Sequence, residues 1–255
     1  MTMRSSTGNS QTADHSKRRF ALVTAFGLLF MALLAPFAQF GVLQTLIVPA
    51  DAAATTTNLL ASIGPFRAAI AAFLIIAILD IVVAWGLYIL LRPANESLAL
   101  LVAWLRVAYA AVFALVLVNL LDVAHLLRGT DPTGLLSAQI QAQVASSIAS
   151  FNNGWDLALA IFGLHLVGLG ALLFKSVDFP KVLGALVVLA GIGYLADSFG
   201  TILVPGYTLT ISVFTFIGEA LLVIWLFKLA ITGSRGSDSP RVVGSPVPAA
   251  EAVAS

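Results

Sequence analysis

The chain has 255 residues, 60% of them hydrophobic and 10% charged, with a formal net charge of +1. A mean hydropathy of +1.01 lies outside the range of soluble domains, and the small net charge gives nucleic acid no electrostatic hold. No Cys is present, which excludes disulfides, thiolate metal sites and Cys nucleophiles without naming a compartment.

About 20 mostly apolar helical residues cross the hydrocarbon core of a bilayer. Residues 1–16 are polar and predict a disordered tail. No residue from Phe20 to Ala50 is charged, which predicts a first span near Phe20–Leu43. Lys17-Arg18-Arg19, the apolar run and the small residues of Ala35–Ala38 also fit a cleaved signal peptide. The run is long for one and lacks a clean A-x-A end, so a retained span is the preferred reading. Asp51–Pro65 is too polar to span, and Asp51 is placed to cap a short helix.

The second span falls near Phe66–Leu91, broken by Arg67 and Asp80, and the third near Leu98–Leu121, which contains Arg106. Thr133–Phe151 carries Leu136, Ile140, Val144, Ile148 and Phe151 at helical spacing, with Gln139, Gln141, Gln143, Ser146 and Ser147 between. That pattern predicts an amphipathic helix on the outer surface or over the bundle mouth. The fourth, fifth and sixth spans fall near Trp155–Phe174, Val182–Leu203 and Thr208–Phe227. Residues 233–255 are rich in Gly, Ser, Pro and Ala and predict a second disordered tail. The expected fold is all-α, a polytopic membrane bundle over residues 17–232, with six transmembrane helices and a short amphipathic outer helix.

Basic residues sort by side. Arg4, Lys17, Arg18, Arg19, Arg92, Lys175, Lys181, Lys228, Arg235 and Arg241 share one side, Arg67 and Arg128 the other, and Arg106 lies inside a span. The positive-inside rule then places both termini in the cytoplasm, with an even number of spans.

Several strings resemble a known family. They are VPADAAATTTN (Val48–Asn58) followed by Arg67, then Asp80, then LLRPANESLALL (Leu90–Leu101) leading to Arg106 and Trp155. LGALVVLAGIGYLADSF (Leu183–Phe199) follows, with Pro205, Glu219 and Trp225 beyond. From about Phe20 to Thr232 the chain resembles the bacterial domain-of-unknown-function family 4386. The resemblance implies a six-span integral membrane protein and no assigned activity.

An ionisable group at mid-bilayer costs on the order of 2.5–3.5 kcal/mol, so each needs a partner or a wet cavity. At ~1.5 Å per residue, Asp80, Arg106 and Glu219 fall at similar depth near the middle. Two readings stand for them: an ion pair that fixes helix packing, and a substrate or proton site. Nearer the outer face, Asn119, Asp122 and His125 are spaced i, i+3, i+6, while Asp156 and Asp197 begin and end neighbouring spans. Asp122, His125, Asp156 and Asp197 predict either a cation or hydrolytic site or helix ends touching headgroup water. Trp155 reads as an interfacial anchor, and His165 as a packing residue or a proton relay to Glu219. Gly191-Ile-Gly193-Tyr-Leu-Ala196 has the letters of a dinucleotide fingerprint without its βαβ context, so close helix packing is expected there. No phosphate loop, nucleophile elbow or zinc-protease helix is present.

The leading expectation is a membrane protein that binds or moves a small solute or lipid through a polar interior. Arg106 would hold an anionic group or a carboxylate, and Glu219 would be the titrating partner. An intramembrane enzyme using the outer Asp/His residues is the first alternative, and a structural or regulatory protein the second. No metal and no cofactor are expected. The expected partners are the bilayer and a small solute or lipid.

Overall fold

The computed structural model describes residues 6–128, 138–209, 211 and 217–233, with side chains described from His15 onward. The predicted C-terminal tail lies outside these residues apart from Gly233, and so do residues 1–5 of the N-terminal one, whereas residues 6–16, expected to be disordered, form the first turns of a helix. The described elements are helical: α1 (Ser6–Pro36), a π-helical turn (Phe37–Leu43), α2 (Gln44–Leu46), α3 (Ala52–Ala61), α4 (Ile63–Leu91), α5 (Glu96–Leu126), α6 (Ala138–Lys175), α7 (Lys181–Leu203) and α8 (Ile217–Thr232). His15–Leu46 is one unbroken apolar helix, and with α4 to α7 it makes five helices long and apolar enough to cross a membrane. The sixth expected span is represented by the 16 residues of α8.

Local chemistry sets the helix ends. Asp51 Oδ1 accepts from the Ala54 N–H at 2.8 Å and caps α3, as its position before the Ala-Thr run predicts. Asn95 Oδ1 accepts from Leu98 N–H at 2.9 Å and starts α5 just after Pro93. The expected separate amphipathic helix is a correction. From Ala138 onward it is the first third of the 38-residue α6, and Val144, Ile148 and Phe151 are buried. Asn152-Asn153-Gly154 fails to end the helix because Gly154 serves packing: a Cβ there would run into the Val116 side chain of α5. Residues 133–137, including Leu136, lie outside the described residues.

The six long helices close a ring in chain order. α1 packs on α4, α4 on α5, α5 on α6, α6 on α7, α7 on α8, and α8 back on α1. Large apolar side chains such as Phe30, Leu33, Trp104 and Leu115 remain exposed on the outer surface of the ring, as hydrocarbon solvent allows. Two glycine pairs bring α6 and α7 to backbone contact. A Cβ on Gly170 would lie 2.6 Å from the Gly184 carbonyl oxygen, and one on Gly191 2.6 Å from that of Gly163. The glycine string of α7 is thus part of a close helix crossing.

One end of the ring gathers residues of α1, of the α6–α7 connection and of α8. Lys17 Nζ on α1 stands 3.4 Å from Asp178 Oδ2 in the α6–α7 connection. Trp225 on α8 donates its indole N–H to the Asp178 carbonyl at 2.9 Å. Lys228 lies 4.3 Å from the Trp225 ring centroid. Deeper in, Phe26 and Phe227 meet edge to face at 5.1 Å. The opposite end, the one expected to face outward, carries α3 and the first turns of α6, which contact each other.

Candidate functional site

Among the described residues, Asp80, Arg106 and His165 form a buried polar centre within the ring. Arg106 on α5 reaches across to α4, where its Nη2 lies 2.7 Å from Asp80 Oδ1. Its Nη1 lies 3.2 Å from Nε2 of His165 on α6. A guanidinium only donates, so His165 Nε2 must accept. The proton then sits on Nδ1, which donates to the Val102 carbonyl at 2.9 Å. Arg106 Nη2 also points at Met31 Sδ on α1 (4.0 Å), and its Cζ stands 5.4 Å from the Phe162 ring centroid. Asp80, Arg106 and His165 are all buried.

Glu219 comes from α8. The residue is partly exposed, but its Oε1 is enclosed and takes no hydrogen bond. The Tyr194 hydroxyl of α7 faces its carboxyl, and Arg106 and Asp80 lie within electrostatic range. Every helix of the ring therefore contributes a side chain to this centre. The expected grouping of Asp80, Arg106 and Glu219 is present geometrically, with a different division of labour: Asp80 and His165 occupy Arg106, while Glu219 keeps a free acceptor. Sequence reasoning offered His165 a packing role or a relay to Glu219 but not Arg106, and passed over Tyr194.

Between the centre and the outer end lies an aromatic column. Tyr109 and Phe162 stand 4.8 Å apart, and Trp155 packs on Phe73 (5.4 Å), Phe113 (5.5 Å) and Phe151 (5.4 Å). Trp155 is thus a partly buried packing residue and not the expected interfacial anchor. Its ring is held from three sides before it could reach headgroups.

The outer residues fall into two pairs. Asp122 and His125 share a recess of ≈ 520 Å³ with Leu126, Gln143, Ser146 and Ser147. Asp156 and Asp197 sit near each other on α6 and α7. Asp197 Oδ1 accepts from the Tyr207 hydroxyl (2.8 Å) and from the Ile211 N–H (2.9 Å), so it ties down the connection after α7. That hydrogen bond to Asp197 holds the Tyr207 phenol above its ordinary value of 10.0. Asn119 turns back to its own helix, donating to the Val116 carbonyl at 3.0 Å. Among the described residues, no three His, Asp or Glu side chains gather as a metal would need.

A second outer recess, of ≈ 380 Å³, lies beside the π-helical turn and is lined by Gln39, Leu43, Gln44, Ile47, Pro49 and Asn152. Nothing in the apolar periodicity of residues 20–50 marked it.

A family model described as "Domain of unknown function (DUF4386)" matches residues 23–229. The chain is 33% identical over 167 residues to an uncharacterized protein of Archaeoglobus fulgidus, which covers 66% of this chain and 86% of that protein. No solved structure matches it.

Proposed function

The chain belongs to the family described as domain of unknown function DUF4386, and from that premise we propose that it binds or moves a small solute through its polar centre, with Glu219 as the receiving group. The observation that carries this reading is the enclosed Glu219 Oε1, which has no hydrogen-bond donor beside an Arg106 already engaged by Asp80 and His165. A buried acceptor of this kind attracts a proton, a small cation or a hydrogen-bond donor. Of the two partners expected for Arg106, the Asp80 carboxylate matches its charge, and only its enclosed Nε–H is left without an acceptor. The protein sits in the bacterial inner membrane with both termini cytoplasmic, a placement supported by its sorted Lys and Arg. The test is carbodiimide labelling in proteoliposomes, since the reagent traps protonated carboxyls in apolar surroundings as N-acylureas. Glu219 is expected to be the modified residue, with labelling lost in Glu219→Gln. Modification that spares Glu219 overturns the reading.

A second reading is supported by the outer recess, where Asp122 and His125 share walls with Ser146 and Ser147. Acid, imidazole and hydroxyl are the parts of a hydrolytic site. Asp156 and Asp197 would take no part in it. A fluorophosphonate adduct on Ser146 or Ser147, lost in His125→Ala, would favour this reading. No adduct would set it aside.

A further inference from the structure

We propose that the outer end of the first membrane helix holds a binding site for an uncharged, hydroxyl-bearing group, built by the π-helical turn that sets Gln39 and Gln44 on one side. In a regular α-helix, side chains five residues apart point about 140° away from each other. Here the Gln44 N–H donates to the Gln39 carbonyl, the i→i+5 bond of a π-helix. That wider turn brings the two residues toward one side, and both line the ≈ 380 Å³ recess together with Asn152 of α6. π-helical turns interrupt regular bonding at a cost and are found mostly where a function needs them.

The walls state what fits. Gln39, Gln44 and Asn152 each offer two N–H donors and one carbonyl acceptor. Leu43, Ile47 and Pro49 supply apolar surface, and no charged side chain is among the described walls. An ion entering here would shed water and find no counter-charge, whereas a hydroxyl both gives and accepts. The Gln39 Oε1 is enclosed and has no hydrogen-bond partner among the described residues. An orphaned buried acceptor is costly unless something donates to it. The volume lies within the range of small-ligand pockets, about 300–1,000 Å³. A sugar or polyol matches this chemistry. It can arrive free in solution or as the glycosyl head group of a membrane lipid, since the recess lies at the end of the helix where water and head groups meet.

The experiment uses the full chain in phosphatidylcholine nanodiscs. Glucose is titrated calorimetrically in one arm. In the other, the discs carry monoglucosyl diacylglycerol, and lipid retained by the protein is read by native mass spectrometry. Binding in either arm is expected, and the arm that responds identifies the source. Gln39→Leu and Asn152→Ala should each weaken binding roughly tenfold, the effect of one lost hydrogen bond. Gln39→Leu should leave the melting midpoint unchanged or higher, because it removes an unpaired acceptor. Glu219→Gln should leave this binding unchanged, which separates the site from the central one. The proposal is overturned by no binding in either arm, by variants that bind like the wild type, or by gluconate binding as tightly as glucose. A Gln39→Leu chain that melts early while Asn152→Ala binds normally would assign Gln39 to packing and overturn it as well.

Discussion

Arg106 and Asp80 stand 2.7 Å apart on neighbouring helices, and neither side chain is more than 3% exposed. The contact is an ion pair first: neither Asp80 oxygen has a regular hydrogen bond, and Arg106 spends its other Nη on His165. Removing one partner of a buried pair costs on the order of 3–5 kcal/mol, because the other charge is left alone. Arg106→Leu should therefore melt well below the wild type in detergent, and Asp80→Leu combined with Arg106→Leu should regain much of the loss. Equal melting of single and double variants would show that the pair contributes nothing.

His165 is expected to be neutral, with its proton on Nδ1. Side-chain ¹⁵N spectra should show a protonated Nδ1 and an Nε2 that accepts. His165→Phe keeps the ring and loses the acceptor, at about 1–3 kcal/mol. His165→Gln, whose carbonyl can take the Arg106 donor, should recover part of it. A protonated Nε2 would contradict the arrangement.

The α6–α7 crossing should be intolerant of added atoms. Gly170→Ala puts a methyl 2.6 Å from the Gly184 carbonyl, and overpacking of this kind typically costs about 1–3 kcal/mol. Gly64→Ala is the control, since a Cβ there meets nothing within 4 Å. Thermal unfolding of the two variants should separate them, and similar midpoints would deny the close approach.

The Tyr207–Asp197 hydrogen bond should respond to alkali. It favours the neutral phenol, so the folded form ionises later than a free tyrosine, whose value is 10.0. The contribution is complete below that value and is lost as pH rises through the higher folded value. Alkaline absorbance titration of Asp197→Asn should show one tyrosinate appearing at lower pH than in the wild type. Superimposable curves would remove the hydrogen bond.

Topology can be checked by reporter fusions. A fusion after Gly233 should report cytoplasm and one near Asp131 the opposite side, since ten of the thirteen Lys and Arg residues fall with the termini. A C-terminus outside the cytoplasm would break the even-span arrangement.

The spans, the Asp51 cap and the shared depth of Asp80 and Arg106 could be read from the chain, because hydropathy, capping and rise per residue are local properties. Depth along a helix is readable where its azimuth is not. That is why His165 looked like a lone packing residue: only the α5–α6 crossing turns its Nε2 toward Arg106. The amphipathic helix was expected to end at Phe151 and the fourth span to start near Trp155, whereas one helix runs through Asn152-Asn153-Gly154, with Gly154 packed on Val116. The π-helical turn left no trace in composition either. One extra residue per turn alters which side chains align without altering how apolar they are.

The ring closes between α1 and α8, and its clasp joins Lys17 to Asp178 and Asp178 to Trp225. In chain order Lys17 is made well before Asp178, and Trp225 later still. Within this ring α1 therefore precedes α8 by five helices, and Phe26 meets Phe227 only after those are made. The hairpin of α4 and α5 is better placed, because Asp80 is already synthesised when Arg106 emerges and the two charges can enter the membrane as a neutral unit. Glu219 has no such escort. Of the side chains in the polar centre it is made last, on the helix that closes the seam with α1.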